Sequence, residues 1–271
     1  MVVEVMTWWT VLCGLALLNL GAWLLSAHQL RQRQTDLAPE VYSTRRVLLW
    51  LAAVYVLGCA FRSVFPMVDV PRICLHETPL ARIAIGRTVA TLAELSFAAQ
   101  FCLLLREAGR EQGRSALIPL GMLLFGLIVI AEAFSWAAVL RTDFVLHAIE
   151  NSIWTLAAAL GVVAFVSLRS RLDASGRRFV VAVLLSGTLY IAFMTTIDVP
   201  TYVSRWLAAT ANGHQTVSFA TGLKQILAPC RVVREWAAWR DDVAWLTLYF
   251  SAAVWISIAL VHTPALLPAR R

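Results

Sequence analysis

Arg87 and Glu94 are the residues of the apolar run Ala81–Leu105 best suited to chemistry. They stand seven residues apart, close to two helical turns, so a helix places them on one face with Thr91 between them. An ion left alone in hydrocarbon costs several kcal/mol, so a guanidinium and a carboxylate there bind each other, a proton or a small cation. A charge so placed is a functional-site hypothesis by default.

Six more polar residues join them when position along a helix is converted to depth at about 1.5 Å per residue. Glu94 falls near the midpoint of its run and Arg87 about 9 Å to one side. Glu132, and Glu150 with Asn151, fall about 7 Å to that same side of their own runs, with His147 one turn further. Arg62 and Asp198 close the ends of two other runs at that face. Charges from five helices crowded into one slab predict a shared polar pocket. Its ligand- or proton-binding residues are Arg87, Glu94, Glu132, Glu150, Asn151, Arg62 and Asp198, with Tyr190 as an aromatic wall. Two arginines neutralise two of the four carboxylates, and the rest are protonated, hydrated or bound to a cation. Glu94, the deepest, is the first candidate for proton carrier or cation ligand. The competing reading is that Arg–Glu pairs only fix helix register, while Arg62 and Asp198 snorkel to the headgroups.

Other chemistry has less to stand on. His147 and Glu150 form an H-x-x-E on one helical face, and His76 lies in a loop. These are weak metal candidates without an H-E-x-x-H or comparable motif, so no resident metal is expected. No Walker A sequence, G-x-S-x-G elbow or lysine in the last run suggests a nucleotide, an acyl-transfer nucleophile or a retinal Schiff base, and neither a cofactor nor a catalytic residue can be assigned. Among the five cysteines, Cys74 and Cys230 fall in the two longest loops on one side and can form a disulfide in an oxidising compartment, or remain two buried thiols.

The elements that must position these residues are membrane helices. Of 271 residues 60% are hydrophobic and 14% charged, with mean hydropathy +0.73, which excludes an ordinary soluble domain. The net charge of +7 does not suggest nucleic acid, because the basic residues lie in the gaps between apolar runs. The expected fold is all-α: one transmembrane domain over 1–271 with spans near 7–27, 47–65, 81–105, 116–138, 143–168, 178–197 and 243–263. The first run lacks a basic leader and is long enough to stay as a span. Arginines 31, 33, 45, 46, 106, 110, 114, 169, 171, 177, 178, 270 and 271 collect on one side, against Arg72 and Arg141 in the short loops opposite. The N-terminus is therefore expected outside and the C-terminus in the cytoplasm. The segments 66–80 and 198–242 form a partly helical outer cap. Within it Val232, Trp236, Trp239 and Val243 recur at helical spacing, which suits a helix lying in the interface or one packed on the other loop. Asp69-Val70-Pro71 and Asp198-Val199-Pro200 read as matching stops after two outgoing helices.

These features lead first to a multi-pass protein, with arginine richness suggesting a bacterial cytoplasmic membrane, that binds a small solute, cation or proton for transport or sensing. Two other classes fit the same residues. One is an intramembrane enzyme on a lipid-like substrate. The other is a non-catalytic subunit whose charges meet a membrane-protein partner.

Overall fold

The computed structural model describes residues 2–264 and 266, and among them seven helical segments are long and apolar enough to cross a membrane. In chain order the helices are α1 Val2–Gln32, α2 Pro39–Val64, α3 Ile83–Glu111, α4 Leu117–Arg141, α5 Phe144–Leu168, α6 Ala174–Phe193, α7 Val199–Ala211, α8 Phe219–Leu227, α9 Arg240–Phe250 and α10 Ala252–Leu260. Several outrun the expected spans because helix-forming residues continue past the apolar stretch. Pro39 fits the first turn and starts α2 well before residue 47. Gly113, at φ +63°, ends α3 in the left-handed conformation that glycine adopts without strain. Arg270 and Arg271, counted above in the C-terminal tail, lie outside the described residues.

Three differences from the sequence reading have physical causes. The sixth span does not stop at Asp198. A π-helical stretch, Met194–Asp198, leads directly into α7, with Val199 N donating to Met194 O. Pro200 has no N–H to donate and its φ suits a first helical turn, so the chain widens by one residue and continues. Asp69-Val70-Pro71 instead turns between two short strands, so the matching tripeptides do not mark a structural repeat. The segment 232–243 is not one interfacial helix. It contains strand residue Val232, a 3-10 turn Trp236–Ala238 and the start of α9. Trp239 is fully buried, its ring 5.8 Å from Trp8, and its indole N–H donates to Val233 O. Finally, the last span is interrupted at Ser251, where the backbone leaves helical geometry at φ −122°, ψ −79°.

The chain divides into two compact units. The first comprises the residues up to Phe97 with Trp136–Asp143 and Gln215–Val261. Its core joins Leu12 of α1, Tyr55 and Cys59 of α2, Ala93 of α3, and Tyr249 and Phe250 of α9. α2 and α3 approach closely at Gly58, where an added Cβ would meet Ala93 Cβ at 2.9 Å. A three-stranded sheet closes this unit: β1 (Met67–Val68) is antiparallel to β2 (Ile73–Cys74), and β2 is parallel to β3 (Arg231–Val232). Cys74 and Cys230 are joined as a disulfide with Cα atoms 5.9 Å apart. Arg72, strained at φ 67°, aims its guanidinium at Val139 O (2.7 Å) and Leu140 O (3.3 Å), the last carbonyls of α4. A cation at a helix C-terminus satisfies those acceptors and opposes the dipole, which offsets the strain.

The second unit comprises Ala98–Ser135, Phe144–His214 and the tail from His262. Here α5 packs on α6 and α7, with Phe165 edge-on to Phe179 at 5.9 Å. Asp173 caps α6 by accepting from Gly176 N at 2.7 Å. Arg114 clamps the end of α5 by donating to Ser167 O and Oγ, both at 2.8 Å.

Two tests follow from the first unit. Replacing both Cys74 and Cys230 by Ser opens a 156-residue separation and is expected to cost roughly 2–4 kcal/mol, read as a lower Tm under non-reducing conditions. The His76 imidazole lies against Trp9 at 4.8 Å, and burial, then the nearby Arg234, hold its pKa below the usual value of 6.5. The unfolded chain therefore binds this proton first. His76 should lower Tm as pH falls below about 6.5, with no such contribution above it, and His76→Gln should flatten that acid limb.

Candidate functional site

In the first unit the buried charges form one connected set. Arg62 ends α2, Asp69 sits in the turn after β1, Arg87 and Glu94 lie two turns apart on α3, and Tyr249 ends α9. Each is no more than 8% exposed. Arg87 Nη2 donates to Glu94 Oε2 at 3.0 Å, and the Tyr249 hydroxyl donates to Glu94 Oε1 at 3.0 Å. The expected Arg87–Glu94 face is therefore closed on itself, and both carboxylate oxygens hold a donor. Thr91, between them, accepts from the Trp136 indole at 3.0 Å, so Trp136 is locked against α3.

Asp69 lies in the loop where the sequence places it, but it joins the charged set, which the sequence reading did not anticipate. Its Oδ2 lies 3.7 Å from Arg87 Nη1 and its Oδ1 3.8 Å from Arg62 Nη2, too long for hydrogen bonds but well inside the range of charge attraction. Arg62 also donates to Met67 O at 3.2 Å. Two cations thus face two anions, Asp69 and Glu94, and this unit's set is neutral. The excess of carboxylates counted from sequence does not apply to it, because Glu132, Glu150 and Asp198 belong to the second unit and Asp69 supplies the second anion here.

The break at Ser251 adjoins the set and is held by a residue that sequence reasoning missed. Asn19 of α1, 1% exposed, donates to Phe250 O at 2.7 Å and accepts from the Trp255 indole at 2.9 Å. One amide therefore bridges the end of α9 and the first turn of α10. Ser251 Oγ returns to Thr247 O at 2.6 Å, and the Cys59 thiol lies 4.0 Å from Tyr249 O. A backbone carbonyl released by a helix break inside a membrane needs such donors. The available signal was Asn19 itself, an amide in the middle of the first apolar run.

The second unit places the remaining candidates. On α5, His147 Nδ1 and Glu150 Oε2 meet at 2.7 Å, and Asn151 donates to Asp198 at the end of the π-helical stretch. The Tyr202 ring lies 5.1 Å from His147, with the Arg205 guanidinium 5.6 Å over Tyr202. Glu132, on α4, is 4% exposed; Tyr190 is half-buried on α6, just before the π-helical stretch. His147 and Glu150 are bonded to each other, the arrangement of an ion pair or a proton-sharing pair. His76, the third weak metal candidate, belongs to the first unit.

No family model, curated protein or solved structure matches this chain, so its site is read on its own chemistry.

Three substitutions rank the contacts. Arg87→Met leaves two carboxylates buried beside one arginine and is expected to cost about 3–5 kcal/mol. Asn19→Leu strips Phe250 O and Trp255 of their partner, at roughly 1–3 kcal/mol, and Tyr249→Phe removes one hydrogen bond, at about 1 kcal/mol. Thermal unfolding of the purified variants in detergent should follow that order; equal Tm values for Arg87→Met and wild type would contradict it.

Proposed function

We propose that this chain, whose seven apolar helices fit a multi-pass membrane protein, binds a proton or small cation at Glu94 for transport or sensing. The observation that carries the reading is the position of Arg87, which reaches two carboxylates rather than one: Glu94 by a hydrogen bond of 3.0 Å and Asp69 across 3.7 Å. When Glu94 is ionised, it holds Arg87 and the Tyr249 hydroxyl. When it takes up a proton or cation, its pull on Arg87 falls and Asp69 becomes the stronger partner. Tyr249 then reorients its hydroxyl, and Tyr249 lies two residues before the break at Ser251, where α9 and α10 can change angle at low cost. The local event is a change of charge, and the interrupted helix is the two-state element that it biases.

The orientation belongs to the same proposal. The side carrying the sheet and the Cys74–Cys230 disulfide faces out, supported by the arginine-rich turns assigned to the opposite side and by the oxidising conditions that a disulfide needs. Glu94 then exchanges with the outer phase past the Arg62–Asp69 pair.

The test uses the proton as probe. Infrared difference spectra of the full chain in lipid, taken between pH 8 and pH 5, should contain a protonated-carboxyl band that Glu94→Gln removes. The variant should retain the wild-type elution profile, because the amide still accepts from Tyr249. An unchanged band in Glu94→Gln would remove Glu94 from the function.

A further inference from the structure

We infer that α8 is an interfacial helix whose exposed apolar stripe rests in the phospholipid leaflet on the side of the sheet, a contact that stands independently of the Glu94 reading. The helix is short, with Ser218 at its N-cap accepting from Thr221 N at 3.2 Å. At 100° per residue, Gly222, Ile226, Phe219, Leu223 and Leu227 share one continuous arc, and Thr221, Lys224 and Gln225 share the other. The protein covers only one edge of the apolar arc. Gly222 and Ile226 are buried, while Phe219, Leu223 and Leu227 are 53%, 51% and 52% exposed.

The depth of α8 follows from what it is fastened to. Gly222 presses on the Leu140 carbonyl so closely that an added Cβ would overlap it. Val217 N donates to Arg141 O at 3.1 Å, Arg141 donates to Thr216 Oγ1 at 3.0 Å, and Arg72 reaches Gln225. The Gly222, Val217 and Thr216 contacts hold α8 and its lead-in to the last turn of α4, and Arg72, which itself donates to Val139 O and Leu140 O, adds an indirect tie. A helix of 25 residues is about 37 Å long, against a hydrocarbon core of about 30 Å, so that turn lies at headgroup depth. α8 is fixed where an exposed apolar stripe meets acyl chains.

The charge pattern selects phospholipid over a second protein surface. From Gln215 to Val233 the chain carries Lys224 and Arg231 and no acidic residue. The Arg141 guanidinium lies 5.7 Å over the Phe219 ring, beside the stripe. Apolar side chains directed into the leaflet with cations at the phosphate layer are the pattern of an interfacial helix. The contact also has a route into the fold: α8 is followed by Ala228 and Pro229, then by Cys230, whose disulfide joins it to β2.

Spin labels read the contact directly. Leu223→Cys, Leu227→Cys, Thr221→Cys and Lys224→Cys all alter exposed positions and preserve the fold; each is made with Cys13, Cys59 and Cys102 replaced and the disulfide retained. In vesicles of phosphatidylethanolamine and phosphatidylglycerol, collisions with oxygen should exceed those with a water-soluble nickel chelate at 223 and 227, and the order should reverse at 221 and 224. Nickel-dominated collisions at all four sites would place α8 in water and overturn the inference. Low collision rates with both reagents at 223 and 227, accompanied by dipolar broadening between labelled copies, would place a second copy on the stripe and overturn it equally.

Discussion

Arg87 is shared between Asp69 and Glu94, and much of the first unit is arranged to keep it so. A guanidinium buried in an apolar helix is costly unless acceptors such as carboxylates meet it, and each carboxylate needs donors in turn. One comes from α3 itself, the other from the turn after β1. That turn is in place because β1 pairs with β2, and β2 is tied through Cys74 to the segment before β3. The sheet is small, yet it supplies the anion that neutralises the membrane-embedded cation.

The second dependence runs through the interrupted span. Tyr249 meets Glu94 from the end of α9, and the break one residue after Phe250 frees carbonyl acceptors in an apolar setting. Asn19 answers that need from another helix, joining α9 to α10 through one side chain. The helix can be discontinuous beside the charged set because these polar groups are satisfied. The same construction places a satisfied helix break two residues after Tyr249, the donor to Glu94. The second unit presents a related combination in different chemistry: a π-helical stretch ends on Asp198, which accepts from Asn151. In both units a polar side chain is bonded where regular helix geometry fails.

By itself the sequence determined that the described chain contains seven membrane-length apolar segments, and their order, because hydropathy and helix length depend only on local composition. It also singled out Arg87, Glu94, Glu132, Glu150 and Asp198 as costly residues, since a charge in an apolar run is visible without any fold. The tertiary structure decided which of them share protons or charge. Neither Asp69 nor Tyr249 stood among the pocket residues, because nothing local reports that the turn after β1 folds back onto α3 or that α9 ends beside Glu94. Pro200 read as a stop, although a π-helical stretch absorbs it, and the segment 232–243 read as one helix, although it holds a strand residue, a 3-10 turn and the start of α9. Each of these outcomes depends on which distant segment arrives at the position. Composition and periodicity record only the cost of placing a residue there; the partner that meets the cost is set by packing.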